Sequence, residues 1–244
     1  MCRERRGDTS EGPPLTIAYS APAGIAADPN VYQPQDDSRL LVEAMRHSGL
    51  IPRRRVLDLC TGSGFVAIAA AEMGCAAVTA FDICSHAVRC SRANVAIAGV
   101  DVDVRKGSLA EALDQGPFDV VVSNPPYVPT PADGDAVALP PMAGPSWAFN
   151  AGPDGRLVLD PLCASVSKLL CDGGSLLLVQ SAFAGTQRSL DTLRSTGMDA
   201  EVVASRWIPF GPVLSARAAW LEQTGLLRRG CRDEELVVIR ADTP

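Results

Sequence analysis

The segment VLDLCTGSG, residues 56–64, decides the fold. Its mostly apolar first half is typical of a buried strand, and it leads directly into a turn that contains Gly62 and Gly64. Both glycines permit positive φ angles and let a ligand approach the bare backbone. The helix expected to begin at Gly64 offers unpaired N–H donors and a partial positive charge. A strand, a glycine turn and a helix in this order indicate the ligand-binding end of an α/β sheet.

Helices and strands alternate along the rest of the chain, which predicts the α/β class. We expect a doubly wound, mostly parallel seven-stranded sheet in a single domain, residues 28–244. The predicted strands are Arg55–Cys60, Ala76–Asp82, Val100–Val104, Phe118–Val122, Ser175–Gln180, Ala200–Val203 and Leu236–Arg240. The predicted helices are Ser38–Ser48, Gly64–Met73, Ala87–Ile97, Leu157–Leu170, Gln187–Ser195 and Leu214–Leu226, the last interpreted as a packing helix. Residues 1–27 lack periodicity and predict a flexible N-terminal arm with one short strand at Leu15–Tyr19.

Composition and charge limit the classes of function. The chain has 244 residues, of which 47% are hydrophobic and 20% charged, as expected for one globular domain. Its longest apolar stretch, residues 65–81, is interrupted by Glu72 and Gly74, so we expect no membrane segment. The charged N-terminus lacks the apolar segment of a secretory signal, which predicts a cytoplasmic protein. A net charge of −6 disfavours nucleic acid as a partner.

The cysteines and histidines give no sign of a metal site. The eight cysteines are scattered without a Cys-x-x-Cys pair, and the chain has only two histidines. We therefore expect no bound metal, and cysteines that are reduced and mostly buried.

A second segment, SNPPYVPTP at residues 123–131, follows the fourth predicted strand. Proline lacks a backbone donor and fixes its own φ, so Pro125 and Pro126 end the strand ladder and create a rigid polar corner. Residues 128–156, the 128–156 segment, then run through Pro, Gly, Ala and Asp with little periodicity. A long irregular segment in a compact domain is more often functional than idle.

Two carboxylates suggest what the glycine turn binds. The run of Gly62, Gly64 and Ala67 fits a loose dinucleotide fingerprint, but Asp58 ahead of it would repel a pyrophosphate and suit a cationic ligand such as S-adenosylmethionine. Asp82, which closes the second strand, can accept both hydroxyls of a ribose. The structural alternatives are that Asp58 caps the following turn and that Asp82 caps a helix.

The corner after the fourth strand suggests what is modified. In a doubly wound sheet this strand lies beside the first, so Asn124 would project into the same crevice. A planar NH₂ group is a poor nucleophile because its lone pair is delocalised. The side-chain oxygen of Asn124 and the carbonyl of Pro125 can accept its two hydrogens and orient the nitrogen. Tyr127 can offer the planar group a flat surface. Taken alone it would be interpreted as an ordinary rim aromatic, but beside Asn-Pro-Pro we favour the flat surface.

These residues resemble a known family. The segments Asp58–Gly64 and Asn124–Tyr127, together with Asp82, resemble class I S-adenosylmethionine-dependent methyltransferases, and specifically the HemK-like release-factor glutamine N5-methyltransferases. Further resemblance lies in Val31–Ser38, in Trp147 with Gly152–Arg156, and in the closing strand Glu234–Val238. It covers most of residues 31–240.

The resemblance implies roles at the matching positions. Contacts with S-adenosylmethionine are implied for Ser38, Asp58, Cys60, Thr61, Gly62, Ser63, Gly64, Asp82 and Asn124. The substrate nitrogen is implied to be held by Asn124, Pro125, Pro126 and Tyr127. One position departs from the family pattern: where many relatives have an aspartate for the adenine, this chain has Ser108, which hydrogen-bonds less strongly than a carboxylate.

The resemblance also implies partners. Longer bacterial members carry a helical N-terminal domain that docks the release factor, and this chain has no room for one before Tyr32. It resembles the short form, which works with a small zinc-binding activator. The predicted strand 100–104 should form a sheet edge, where its alternating charge protects against strand pairing. The alternative is that an activator strand pairs there.

Three functions remain open. The first is transfer of a methyl group from S-adenosylmethionine to a planar NH₂ group, favoured as the side-chain amide of a glutamine in a protein such as a peptide chain release factor. The second is an adenine N6-methyltransferase acting on DNA or RNA, since a planar amine is all that the corner requires. The third is a non-catalytic partner module that binds S-adenosylmethionine; a nicotinamide oxidoreductase has least support.

Overall fold

A seven-stranded sheet forms the centre of the molecule. The computed structural model describes residues 28–133, 135, 139 and 144–244. The strands are β1 (Arg55–Leu59), β2 (Ala77–Asp82), β3 (Asp103–Lys106), β4 (Phe118–Ser123), β5 (Leu170–Ser181), β6 (Asp199–Pro209) and β7 (Asp233–Asp242). Their order across the sheet is β3-β2-β1-β4-β5-β7-β6, and β7 alone among these strands runs against its neighbours. The predicted fold class and the placement of the fourth strand beside the first are confirmed.

Seven helices accompany the strands; the first precedes β1 and the other six connect consecutive strands. They are α1 (Asp36–Ser48), α2 (Phe65–Glu72), α3 (Ser85–Ala98), α4 (Leu109–Leu113), α5 (Leu159–Ser165), α6 (Thr186–Ser195) and α7 (Pro212–Gln223), as counted in the described residues. Leu41 and Met45 of α1 are fully buried. The four residues Leu176–Val179 of β5 and the three residues Val120–Val122 of β4 are also buried, each at most 1% exposed. Continuous apolar burial is what a parallel sheet covered on both faces requires.

Several predicted boundaries were wrong: β6 continues to Pro209 instead of ending at Val203, and two further errors have a local cause. The third strand begins at Asp103 instead of Val100, because Gly99 ends α3 in the left-handed conformation and the N–H of Val100 still bonds back to Val95. The predicted helix Leu157–Leu170 stops at Ser165 and continues as a 3-10 turn, Val166–Leu169. Strand β5 then starts at Leu170, with a register shift against β4 that accommodates the stretch before Ser175.

Helix α7 joins β6 to β7 and has a small core of its own. The buried residues of this core are Leu214, Ala218, Leu221, Leu227 and Cys231. Since β6 runs in the same direction as β5, it ends at the carboxyl edge of the parallel strands. The α7 connection therefore lies at the edge where β1 and β4 also end.

Several expectations concern the setting of the chain. Of the seven cysteines among the described residues, six are free thiols and Cys231 is disulfide-bonded, which corrects the expectation of reduced cysteines throughout. In the described part of the chain no three His, Cys, Asp or Glu side chains are grouped to hold a metal ion. None of the helices described above combines the length and apolarity needed to cross a membrane. The predicted arm, residues 1–27 with its strand at Leu15–Tyr19, lies outside the described residues.

Candidate active site

A cavity of about 310 Å³ opens at the carboxyl edge of the sheet. Loops after β1, β2, β3 and β4, the start of α1 and the segment that leads into α5 all contribute to its wall. Of the residues predicted to bind a cofactor, the wall contains Ser38, Cys60, Thr61, Gly62, Ser63, Asp82, Ser108 and Asn124, but neither Asp58 nor Gly64. Eight of the ten residues predicted to bind the cofactor thus lie together in the wall of this cavity.

The two glycines of the turn serve different purposes. Gly62 has φ 54° and open space where a side chain would begin, and it lies in the cavity wall. Gly64 has φ 84°, and a Cβ there would lie 2.5 Å from the Oγ of Ser91 on α3. Gly62 therefore leaves room for a ligand, whereas Gly64 permits close packing of α3 on the turn.

Asp58 lies beneath the turn. It is 1% exposed, and its Oδ2 accepts a 2.6 Å hydrogen bond from the hydroxyl of Thr61. Burial raises the pKa of Asp58 to about 7, opposed by the Thr61 bond and assisted by repulsion from Asp82. These contacts match the structural alternative, a residue that braces the turn from below.

Asp82 joins the end of β2 to the glycine turn. Its Oδ2 accepts the N–H of Gly62 at 2.9 Å and its Oδ1 accepts the N–H of Cys84 at 2.8 Å. Burial raises its pKa, and these two bonds oppose the rise. Each oxygen keeps a further lone pair, so the carboxylate can still accept hydroxyl groups from the cavity.

Ser108 has a local structural role. Its Oγ accepts the N–H of Ala110 at 3.1 Å and bonds to the carboxylate of Glu111, which completes a capping box on α4. The hydroxyl proton is therefore directed to Glu111. Only the remaining lone pair of Ser108 is open to a ligand at the cavity wall.

The orientation of the Asn124 amide is set by its neighbours on α1. Asn124 Nδ2 donates to Ser38 Oγ at 3.2 Å, and Ser38 Oγ donates to Asp37 Oδ1 at 3.1 Å. Because the carboxylate can only accept, the serine hydroxyl must accept from the amide nitrogen. The side-chain oxygen of Asn124 is thereby left for another partner.

Asp37 is the centre of this arrangement, and the sequence analysis did not select it. Its Oδ2 accepts the hydroxyls of Tyr32 at 2.9 Å and Tyr127 at 3.0 Å, and its Oδ1 also accepts the N–H of Ser38 at 2.6 Å. Burial, with repulsion from Asp37, raises the pKa of both tyrosines well above the ordinary value, so both remain donors. The available signal was an aspartate inside the segment that resembled the family, but it is equally typical of the first turn of a helix.

Glu234 on β7 belongs to the same acidic region. It is 7% exposed, and its Oε2 has no hydrogen-bond partner among the described residues. Burial raises its pKa to about 7, with added repulsion from Asp37 and Asp36, while a bond from Ser181 opposes the rise. This carboxyl is easier to bury protonated than charged.

A second, smaller cavity of about 40 Å³ adjoins the first. It contains Pro125, Tyr127 and Asp37, none of which lies in the large cavity. The two cavities share Tyr32, Asn124, Pro126 and Ala148. The predicted substrate residues therefore meet around the small cavity, with Asn124 at the junction.

The 128–156 segment closes back onto the end of β4. The N–H of Val128 bonds to the carbonyl of Phe149 at 2.9 Å, and the N–H of Ala151 bonds to the carbonyl of Val128 at 3.0 Å. This segment brings Trp147 to the rim of the large cavity, where Ile83 and Leu157 are also exposed. The sequence analysis did not select Ile83 or Leu157, because an isolated apolar residue carries no signal of exposure.

The fold and the site define the general class of the protein. A family model described as the methyltransferase small domain matches residues 24–140. Among solved structures, the Mtq2–Trm112 complex of E. cuniculi, described as methylating the termination factor eRF1, matches with a TM-score of 0.58. The two chains are 21% identical, and the match covers 88% of this chain and 99% of that one. At this identity the similarity is one of fold. The chain has the Rossmann-like fold of the class I methyltransferases.

Curated relatives identify the family. A relative from Methanocaldococcus jannaschii, named as a protein N5-glutamine methyltransferase, is 30% identical over 190 residues, covering 78% of this chain and 92% of its own. The chain belongs to the HemK-like family of protein glutamine N5-methyltransferases. The release factor glutamine methyltransferase of Deinococcus radiodurans is 36% identical over 180 residues, covering 73% of this chain. The match spans 64% of that longer relative.

The turn glycines give a first prediction. Gly64→Ala should destabilise the fold by about 2–5 kcal/mol, because it combines a strained φ with a clash against Ser91. Gly62→Ala should cost only about 1–2 kcal/mol, since nothing opposes its methyl group. Urea unfolding of both variants measures the difference. The double variant Gly64→Ala/Ser91→Ala should recover part of the loss, and equal losses for the two single variants would contradict this account.

Glu234 gives a prediction of pH dependence. Its raised pKa means that its contribution to stability is fully present below the unfolded value near 4.5 and is lost as the pH rises through about 7. Glu234→Gln should therefore match the wild type near pH 4.5 and exceed it by up to about 3 kcal/mol at pH 8. Urea unfolding across this range is the measurement. Glu235→Gln removes the same charge at the neighbouring position and controls for net charge. If the difference in unfolding free energy between Glu234→Gln and the wild type does not grow with pH, the raised pKa of Glu234 is refuted.

Proposed function

We propose that this protein transfers the methyl group of S-adenosylmethionine to the side-chain amide nitrogen of a glutamine in a protein, with a peptide chain release factor as the first substrate to test. The observation that carries the proposal is the oriented Asn124 amide at the junction of two cavities. Names of the curated relatives support the choice of a glutamine and of a release factor.

The large cavity is the proposed site of S-adenosylmethionine. Its volume of about 310 Å³ is within the range of small-molecule pockets. The cofactor supplies an electrophilic methyl group on a cationic sulfonium. We assign ribose binding to Asp82 and close backbone approach to Gly62, while Asp58 and Gly64 act through the shape of the turn. The remaining proposed contacts are Ser38, Cys60, Thr61, Ser63, Ser108 and Asn124.

The small cavity is the proposed site of the acceptor amide. Its volume of about 40 Å³ is much smaller than that of the large cavity and suits the end of a side chain. The oxygen of Asn124 and the carbonyl of Pro125 would accept the two hydrogens of the amide and orient its nitrogen. This is catalysis by positioning and electrostatics, and the nitrogen can release its proton after transfer. The names of the curated relatives favour glutamine over adenine as the acceptor.

Tyr127 has a different proposed role from the flat surface first expected. It is 8% exposed and its hydroxyl is bonded to Asp37, so it ties the corner to α1. Pro126 lines both cavities. We propose that Asp37 and Tyr127 hold the corner rigid while Asn124 and Pro125 contact the acceptor.

A small activator subunit remains a prediction. Strand β3 is the edge of the sheet as expected, but it covers Asp103–Lys106 and so overlaps only part of the predicted partner strand 100–104. Asp103 and Arg105 form an exposed ion pair of 2.6 Å on it. Such charges suit edge protection, our first interpretation, and an added partner strand remains the alternative.

Mass spectrometry of a release factor incubated with the protein and labelled S-adenosylmethionine tests the function. We expect label on the glutamine of its Gly-Gly-Gln loop. Asn124→Ala should lower kcat by about 10²–10³-fold, the scale for loss of one oriented polar contact in a transition state. The exposed Asn30 is a matched control, and Asn30→Ala should behave as wild type. Label on other residues or on nucleic acid would contradict the proposed substrate.

Asp37 gives a second prediction for the same reaction. Asp37→Asn can donate as well as accept, so it removes the reason for Asn124 to present its oxygen. We expect kcat to fall about 10–100-fold, as for loss of a supporting residue behind a direct contact. Calorimetry with S-adenosylhomocysteine should show cofactor affinity nearly unchanged. A loss of affinity as large as the loss of kcat would show that Asp37 instead supports the cofactor site.

A further inference from the structure

Arg217 on α7 is a buried arginine whose hydrogen-bonding capacity is fully used. Its side chain is 1% exposed. Nε and Nη2 bind the two oxygens of Asp135 at 2.6 and 2.8 Å, Nη1 donates to Pro129 O at 2.9 Å and Thr130 Oγ1 at 3.3 Å, and Nη2 donates to Asn150 Oδ1 at 2.6 Å. A guanidinium has five N–H donors, and five hydrogen bonds account for all of them.

All four polar partners of Arg217 belong to the 128–156 segment. Pro129 and Thr130 lie near its start, Asn150 lies after its 3-10 turn, and Asp135 lies between them. The carboxylate of Asp135 is the opposite charge that a buried arginine requires. One side chain on the β6–β7 connection thus joins distant points of a segment that follows β4.

The same contacts reach the wall of the small cavity. The guanidinium lies 5.5 Å from the ring centroid of Phe149, a cation–π distance. Phe149 and Val128 both line the small cavity and are hydrogen-bonded to each other through their backbones. Arg217 itself lines neither cavity. It therefore acts on the site through the residues that it holds.

Packing of α7 does not by itself require an arginine. Leu214, Ala218 and Leu221 already bury an apolar stripe of the helix. Burying a charged pair gives little net stability compared with apolar side chains of similar size. A guanidinium fork does supply fixed directions toward several acceptors at once, which an apolar side chain cannot.

We propose that Arg217 is a positioning residue that holds the Val128 and Phe149 walls of the acceptor cavity, and so sets affinity for the protein substrate. This inference rests on the proposed function. It assigns α7 to the acceptor side of the site and predicts separate effects on the two substrates. Loss of Arg217 weakens binding of the protein acceptor, while affinity for the cofactor stays as it is.

Kinetics with the release factor test the assignment. Arg217→Met should raise KM for the release factor at least 10-fold, change kcat less than 3-fold and leave the Kd for S-adenosylhomocysteine within 2-fold. Arg217→Lys keeps the charge without the fork and should be intermediate. Leu221→Ala, on the same helix and fully buried, is the matched control. It should lower the thermal midpoint while changing KM less than 3-fold; an equal rise in KM would reduce Arg217 to a packing role and overturn the proposal.

Amide hydrogen exchange separates this inference from the proposed function. In Arg217→Met the amides of Val128, Thr130 and Ala151, which bond within the segment, should exchange at least 10-fold faster, with β1 and β4 unchanged. Asp135→Asn should show the same pattern more weakly and serves if Arg217→Met does not fold. If the wild type does not methylate the release factor, the proposed function fails. The exchange rates of these amides still test whether Arg217 holds the segment. Unchanged exchange in both variants overturns the inference.

Discussion

The carboxylate of Asp37 is the contact on which the candidate site depends. It gathers two tyrosine hydroxyls and, through Ser38, the amide of Asn124. Because a carboxylate has no proton to give, every group around it must donate a hydrogen bond to it. This also fixes the direction of the next hydrogen bond, from Asn124 to Ser38. Helix α1 and the corner after β4 come from distant parts of the sequence. Asp37 makes them a single rigid unit.

Much of the fold could be predicted because its signals are local. The alternation of helices and strands predicted the sheet, and residues 56–64 predicted which end of it binds a ligand. The wrong boundaries, at Val100 and at Leu157–Leu170, depend on how a helix end uses its next backbone groups, and periodicity does not report that. Asp37 and Arg217 were missed because their partners are contributed by the fold. Asp58 was found, but the sequence could not show which side of the turn its carboxylate occupies.

Buried ionisable groups concentrate near the carboxyl edge of the sheet. Asp58 and Glu234 are buried carboxyls with raised pKa values, whereas Arg217 is matched by Asp135. Asp58 and Glu234 lower the stability of the fold at neutral pH, whereas the charge of Arg217 is balanced by a carboxylate and polar acceptors. Function is a common reason for a fold to retain such groups, since apolar residues would bury more favourably.

The pair of acceptors at the corner after β4 bears on how far the proposed reaction proceeds. A primary amide offers two hydrogens to the oxygen of Asn124 and the carbonyl of Pro125, but a singly methylated amide offers only one. The methylated product would thus form fewer hydrogen bonds than the starting group. Release of the product, and a modification that stops at the monomethyl stage, follow from that lost hydrogen bond.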